Sequence, residues 1–200
     1  SELLTKWALN PPYNHIGSIS FPIPGQCQKD NLKVVIAAIS LLKEHYVIDN
    51  DSIIMGFRNI LKNTGLRARV EQLRKDPLII LDGSHNPGSI ENLFSTLSLV
   101  FPNKKWNIIF SIMGDKDSSA AFDNINKYSK SLTLPQLKTP RALSNQKIMD
   151  IAIEMGIKNI KTTNNVSDAL DLLKNDTDIL IFGSFFLAAE VLEEFERDNR

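Results

Sequence analysis

The residues best suited to chemistry sit in short polar turns that follow apolar runs. After Leu78-Ile79-Ile80-Leu81 comes Asp82-Gly83-Ser84-His85-Asn86-Pro87. A carboxylate at Asp82 can accept hydrogen bonds from a vicinal diol such as a ribose, or it can serve as a turn or helix-cap residue. His85 brings an imidazole, the side-chain type that exchanges a proton near neutral pH, although a lone histidine in a turn also serves structurally. Asn86 and Pro87 suit a helix start, with Asn as N-cap and Pro at the first position. In Met113-Gly114-Asp115-Lys116-Asp117, Lys116 lies between two aspartates. By itself that pattern is a solvated turn with ion pairing worth roughly a few tenths of a kcal/mol. Ser184, after Gly183, opens a helix. Its hydroxyl and the neighbouring amides can hold a carboxylate or phosphate, or the pair is a tight strand-to-helix turn. Pro140-Arg141 is an exposed loop or an anion-binding arginine, and Gly65 to Arg69 reads as a solvated hinge with two arginines.

The elements that position these turns alternate regularly from about residue 65 onward. Strands are expected at Leu78–Leu81, Trp106–Ile112, Ser131–Leu134, Asn159–Thr163 and Ile179–Phe182. Between them, apolar residues recur at helical spacing: Ile90, Leu93, Phe94 and Leu97; Ile148, Ile151, Ala152 and Met155; Val166, Ala169, Leu170 and Leu173. Asp117 to Tyr128 reads as a further helix of weak amphipathicity, and Ala188, Val191, Leu192 and Phe195 mark the last. Continuous apolar strands alternating with helices predict an α/β fold: a Rossmann-like, mostly parallel sheet covered on both faces. Ligands then bind outside the carboxyl ends of the strands, where the polar turns lie.

The first part of the chain differs. A turn-rich opening, Asn10 to Asn14, precedes a strand-like run from Ile16 to Ile23 that Pro24-Gly25 breaks. Gln28 to Tyr46 is helical, with apolar residues on most faces, which predicts burial on more than one side. A second short helix fits Asp51 to Leu61 with a cap among Asp49, Asn50 and Asp51, and Lys62 to Gly65 reads as a stop and linker. One strand and two helices are a thin basis for a core, so residues 1–64 are not expected to form a complete domain.

Composition narrows the function classes. Of 200 residues, 42% are apolar and 23% charged, ordinary values for a globular chain. Lys plus Arg and Asp plus Glu both number 23, so net charge gives no support for binding nucleic acid or an anionic membrane surface. No apolar run is long enough to span a membrane, and the opening residues carry no signal-peptide pattern. The single cysteine, Cys27, allows no internal disulfide, and no Cys/His cluster predicts zinc. The sequence holds no phosphate-binding G-x-x-x-x-G-K-[ST] loop, no G-x-G-x-x-G fingerprint and no G-x-S-x-G elbow.

Taken in order, the turns resemble a known family. Leu81-Asp82-Gly83-Ser84-His85-Asn86-Pro87 is similar to the D-G-A-H-N-P segment of folylpolyglutamate and dihydrofolate synthases, ATP-dependent amide ligases of the Mur ligase superfamily. Arg69, in Leu66-Arg67-Ala68-Arg69-Val70-Glu71, matches the arginine of a G-R segment, with Arg67 a second candidate. Gly25-Gln26-Cys27-Gln28-Lys29-Asp30-Asn31 resembles G-x-H-Q-x-x-N, and Met113 to Asp117 resembles an A-D-K-D turn. Pro140-Arg141-Ala142-Leu143 and Gly183-Ser184-Phe185 match later elements in order. Cys27 departs from a histidine of the pattern, and Ala68 from a glycine.

The resemblance implies the C-terminal end of an ATPase domain over residues 1–64 and a Mur ligase-type glutamate-ligase domain over 65–200. It implies ATP and Mg2+ as cofactors, with the metal ligands and phosphate-binding loop in an N-terminal part that this sequence lacks. The chain alone is therefore expected to be inactive. It further implies L-glutamate and folate or dihydropteroate as partners, a cytoplasmic location and a monomer. Asn31 would face an adenine edge, Arg69 a phosphate and Asp82 the ribose. His85 and Ser184 would lie near the incoming glutamate, with His85 and Lys116 as catalytic candidates and no metal ligand in this chain. The alternatives are a non-catalytic Rossmann-like binding module and another Mur-type amino acid ligase, acting on a peptidoglycan precursor.

Overall fold

A computed structural model of the chain describes residues 5–8, 16–173 and 177–198. The turn-rich stretch from Asn10 to Asn14 lies outside the described residues. The chain divides into two units, Ser1–Arg69 and Val70–Arg200.

In the first unit, strands β1 (Thr5–Ala8) and β2 (Ser18–Phe21) pair antiparallel, with Thr5 opposite Phe21. Helices α1 (Gln26–Leu42), α2 (Asn50–Arg58) and α3 (Ile60–Thr64) follow. Asp49 caps α2, accepting a hydrogen bond from the Ser52 amide at 2.6 Å. This bond holds the exposed Asp49 carboxyl below its ordinary value. The single helix expected over Asp51 to Leu61 breaks at Asn59, which ends α2 and opens α3. Gly65 stops α3 with φ +64. The core is small. It centres on Ile19, Phe21, Leu32, Ile36, Ile53 and Phe57, with the Phe21 and Phe57 rings edge to face at 6.2 Å. The expectation that α1 is buried on more than one side is corrected. Leu32 and Ile36 are buried, while Val34 and Leu41 are 70% and 68% exposed.

The second unit is a six-stranded sheet in the order β3-β4-β8-β5-β6-β7. Its strands are β3 (Glu71–Lys75), β4 (Leu78–Leu81), β5 (Trp106–Phe110), β6 (Ser129–Pro135), β7 (Ile160–Thr163) and β8 (Ile179–Phe182). Its helices are α4 (Pro87–Val100), α5 (Ser119–Tyr128), α6 (Asn145–Glu154), α7 (Val166–Leu172) and α8 (Phe185–Asp198). All pairings are parallel except β3 with β4. From β4 the chain steps outward through β5, β6 and β7, then returns to insert β8 between β4 and β5. Right-handed crossovers put helices on both faces of such a sheet. The sequence pattern did not announce β3. Glu71-Gln72-Leu73-Arg74-Lys75 is charged, which suits a short edge strand but gives no apolar signal. Asn86, Ser144 and Asn165 cap α4, α6 and α7 through their side chains. Rings from Phe94, Phe110, Phe122 and Phe182 interlock along one face, with Phe110 and Phe182 5.1 Å apart. Among the described residues, no helix is long and apolar enough to cross a membrane.

At the amino ends of β4 and β5, Asp178 joins three elements. Its carboxylate accepts from the Leu78 amide at 2.8 Å and pairs with Lys104 at 2.6 Å. The Lys104 ammonium also lies 5.1 Å from the centre of the Trp106 ring. Burial pushes the Asp178 carboxyl up, but the bonds from Lys104 and Leu78 and the charges of Lys104 and Lys130 outweigh it. The group is held below its ordinary 3.8. A depressed folded-state pKa contributes stability that is present above the unfolded value and lost as pH falls through the folded one. Urea unfolding of the wild type should therefore show falling stability as pH drops below about 4. Asp178→Asn should unfold at lower urea than wild type at neutral pH, and the two curves should converge in acid. Parallel curves at all pH values would exclude this role for Asp178.

Candidate functional site

The carboxyl ends of β4, β8 and β5 are neighbours, with Leu81 level with Ile181 and Phe110 level with Phe182. The turns Asp82–Pro87, Met113–Asp117 and Gly183–Ser184 therefore share one rim.

Asp82 is buried, and both of its carboxylate oxygens take backbone amides. Oδ2 accepts from Val70 N and Oδ1 from Ser84 N, each at 2.8 Å. The turn role considered for Asp82 is thus directly visible. The bond to Val70 has a second effect. Ala68 and Val70, on either side of Arg69, have φ of +57° and +48°. Left-handed backbone is disfavoured for a residue with Cβ, most of all a β-branched one, by about 1–2 kcal/mol. The family pattern has glycine at the position of Ala68, and this φ is a physical reason for it. The Asp82 carboxylate helps to hold the strained segment in place. Arg69 itself is half-buried, and its Nη1 donates to the Ala68 carbonyl at 3.3 Å.

His85 is fixed by its own turn. Its Nδ1 lies 2.9 Å from the Gly83 carbonyl, and its ring centre is 5.5 Å from that of Phe185. A carbonyl can only accept, so Nδ1 carries a hydrogen, which leaves Nε2 as the nitrogen that can exchange a proton. Ser84 N, His85 N and Asn86 N all bond within this turn or to Ser89 Oγ, so the segment is held from end to end. Ser184 is buried and caps α8, accepting from Leu187 N at 3.1 Å. The close approach here depends on glycine. A Cβ at Gly183, where φ is +122°, would lie 2.5 Å from the Ser111 carbonyl.

The third turn carries the Arg141 loop with it. Gly114 N donates to the Arg141 carbonyl at 3.0 Å and Leu143 N to the Ile112 carbonyl at 2.9 Å. Asp115 then lies between Lys116 at 3.6 Å and Arg141 at 3.8 Å. The Arg141 guanidinium sits 5.9 Å from the Phe186 ring. The Ser119 amide holds the exposed Asp117 carboxyl below its ordinary value. Phe185 and Phe186, the first residues of α8, are thus in contact with both sides of the rim: Phe185 with His85, Phe186 with Arg141. Asp82, His85 and Ser184 come together on adjacent strand ends. Lys116 is an exposed member of a surface ion-pair group at the same rim. Asn31 lies in the first unit, on the exposed side of α1, where its Nδ2 donates to Gln28 Oε1 at 3.1 Å.

Sequence reading overlooked Ser111, Phe185 and Phe186. Ser111 had a signal, since it follows an apolar strand as Asp82 does, but the expected strand ran on to Ile112 and absorbed it. Among the described residues, no cluster of three or more His, Cys, Asp or Glu side chains could hold a metal ion.

A parallel sheet with a polar rim built by Gly83, Gly183 and a helix N-terminus defines an α/β ligand-binding domain of the Rossmann-like type. Residues 68–185 match the profile of the Mur ligase, glutamate ligase domain, and the chain belongs to that family. It is 29% identical to the folylpolyglutamate synthase of Lacticaseibacillus casei over 185 residues, 88% of this chain and 40% of that protein. It is 25% identical to the dihydrofolate synthase/folylpolyglutamate synthase of Mycobacterium tuberculosis over 158 residues, 77% of this chain and 32% of that protein. A structure of Mycobacterium tuberculosis folylpolyglutamate synthase complexed with ADP superposes on 88% of this chain and 42% of its own, with TM-score 0.78 and 25% identity. The chain thus spans about two fifths or less of the length of these relatives.

The carboxylate clamp makes a direct prediction. Asp82→Asn keeps the size but replaces one acceptor with a donor facing an amide. It should cost about 2–3 kcal/mol of folding stability, because a buried charge-assisted bond is lost and an amide is left unpaired. Urea unfolding measures this, and an unchanged midpoint would exclude the clamp.

Proposed function

We propose that this chain is the closing portion of an ATP-dependent ligase that joins L-glutamate to folate or dihydropteroate. In this reading the enzyme works as a cytoplasmic monomer. The observation that carries it is the meeting of Asp82, His85 and Ser184 on adjacent strand ends, in a domain whose relatives are folylpolyglutamate and dihydrofolate synthases. A second support is the small core of the first unit beside the exposed Val34 and Leu41 of α1, as suits the end of a larger ATPase domain.

The residues present fit part of a nucleotide. A carboxylate such as Asp82 suits ribose hydroxyls, and Arg69 offers a planar, permanently charged fork to a phosphate. Asn31 would offer an amide to an adenine edge. In this reading the Mg2+ ligands belong to the upstream part of the enzyme. When bound, ATP supplies the phosphoryl group that converts the substrate carboxylate into an acyl phosphate open to attack by an amine.

This chain's own groups act on the amine side. The α-ammonium of glutamate must lose a proton before it can attack. His85 is held with Nε2 as its free acceptor, and takes that proton. Ser184 and the first turn of α8 favour a carboxylate, because the amide end of a helix carries positive partial charge. Lys116 adds a nearby positive charge at the rim.

The test is ATP-dependent incorporation of labelled L-glutamate into folate or dihydropteroate by the complete enzyme. Activity should appear there and be absent from the 200-residue chain alone. His85→Ala in the complete enzyme should lower kcat by about 100-fold, the scale of a lost general base. Glutamate transfer by the short chain would refute the fragment reading, and an unaffected kcat would remove His85 from the chemistry.

A further inference from the structure

Ser84, Ser184 and Ser111 follow the carboxyl ends of β4, β8 and β5, three strands that lie side by side. Three serines therefore belong to one rim. All are buried: Ser84 is 4% exposed, Ser111 0% and Ser184 2%. Ser184 Oγ is engaged in capping α8. The hydroxyls of Ser84 and Ser111 have no hydrogen-bond partner. The glycines between them bring no side chain that could serve as one. A Cβ at Gly183 would not fit, lying 2.5 Å from the Ser111 carbonyl, and one at Gly83 would lie 2.4 Å from the Phe185 ring in its present place.

A buried hydroxyl without a partner is a cost that alanine would avoid. Ser84 stands where the D-G-A-H-N-P segment carries alanine, so the hydroxyl is an addition at a position where a methyl group suffices for the turn. Packing does not require it, and the turn is already tied by the backbone amide of Ser84 to Asp82. Two such hydroxyls flank the strand that leads into the positive end of a fourteen-residue helix. Hydroxyl donors and a helix N-terminus together form a receptor for a carboxylate.

We propose that Ser84 and Ser111 are specificity residues that donate hydrogen bonds to a carboxylate of the incoming amino acid. The hydroxyls find their partner only in the bound state. The half-exposed Phe185 ring, which lies against Gly83 and beside His85, is the side chain that moves to admit the substrate. The assignment of the ligand as glutamate rests on the function proposed above.

The test uses the complete enzyme and the variants Ser84→Ala and Ser111→Ala, read by steady-state kinetics and by thermal melts with and without L-glutamate. Each variant should melt at or above the wild-type temperature, because an unpaired buried hydroxyl is removed. The KM for glutamate should rise about 10-fold in each, the scale of a hydrogen bond lost from a charged group, with kcat and the KM for ATP within about two-fold. The stabilisation of the wild type by glutamate should weaken in the same variants. If the enzyme ligates glutamate and neither variant shifts that KM, the serine assignment is overturned and the proposed function stands. If the enzyme does not ligate glutamate but the melts show binding that the variants lose, the assignment stands and the function falls. Absence of glutamate binding to the wild type overturns the assignment as well. Variants that melt lower with an unchanged KM would give the serines a structural role only.

Discussion

The rest of the rim depends on the Asp82 carboxylate. A buried carboxylate is costly unless donors reach it, and here two backbone amides do, both at 2.8 Å. One belongs to Val70, where the second unit begins, and the other to Ser84, in the turn that carries His85. Two segments far apart in function are thereby set by one side chain. The first is a left-handed stretch that flanks Arg69, and the second is the turn that orients an imidazole. Neither would hold its shape by local preference alone. A left-handed valine is disfavoured, and a strand end followed by Gly83 is conformationally loose without a tie.

The two ends of the sheet are built to different standards. At the amino end, Asp178 satisfies its charge with Lys104 and the Leu78 amide, and Lys104 also lies over aromatic rings. The buried charge of Asp178 is thus met from two sides, which is what stability asks for. At the carboxyl end there are the left-handed Val70, one glycine, Gly183, pressed against neighbouring backbone, and two buried hydroxyls without partners. The unpaired hydroxyls at this edge accord with the ligand role proposed for it. The topology explains why this edge was available. Inserting β8 between β4 and β5 brings three strand ends and the start of α8 side by side.

Much of the fold was legible in the sequence, and the exceptions share a cause. Leu78–Leu81 and Ile179–Phe182 are continuous apolar runs, and the structure makes them β4 and β8 with the same bounds. Two strands were not foreseen, although the largely polar Asn159–Thr163 was, and it holds β7. The charged β3 and the four-residue β1 owe their form to a neighbour's backbone, a long-range effect that composition does not carry. Helix α1 failed in the other direction, since its apolar residues suggested more burial than the small first core provides. The site divides similarly. Asp82, His85 and Ser184 announced themselves by following strands. The Val70–Asp82 bond spans twelve residues and could not be read. Ser111 was hidden in the apolar run that precedes it.

Three of the departures from the family pattern are physically unlike one another. Alanine for glycine at position 68 adds a methyl group to left-handed backbone, but that methyl is 98% covered, and its burial offsets part of the strain. Cysteine for histidine at position 27 lies half-buried in the first turn of α1 and exchanges an imidazole that titrates near neutrality for a thiol. Serine for alanine at position 84 changes neither size nor backbone by much. It places a donor where the pattern has none, inside a turn already satisfied by its own amides. Of the three, only this one leaves the building of the rim unchanged. Folding alone would favour the alanine, and the recognition role proposed for Ser84 accounts for a hydroxyl that folding does not need.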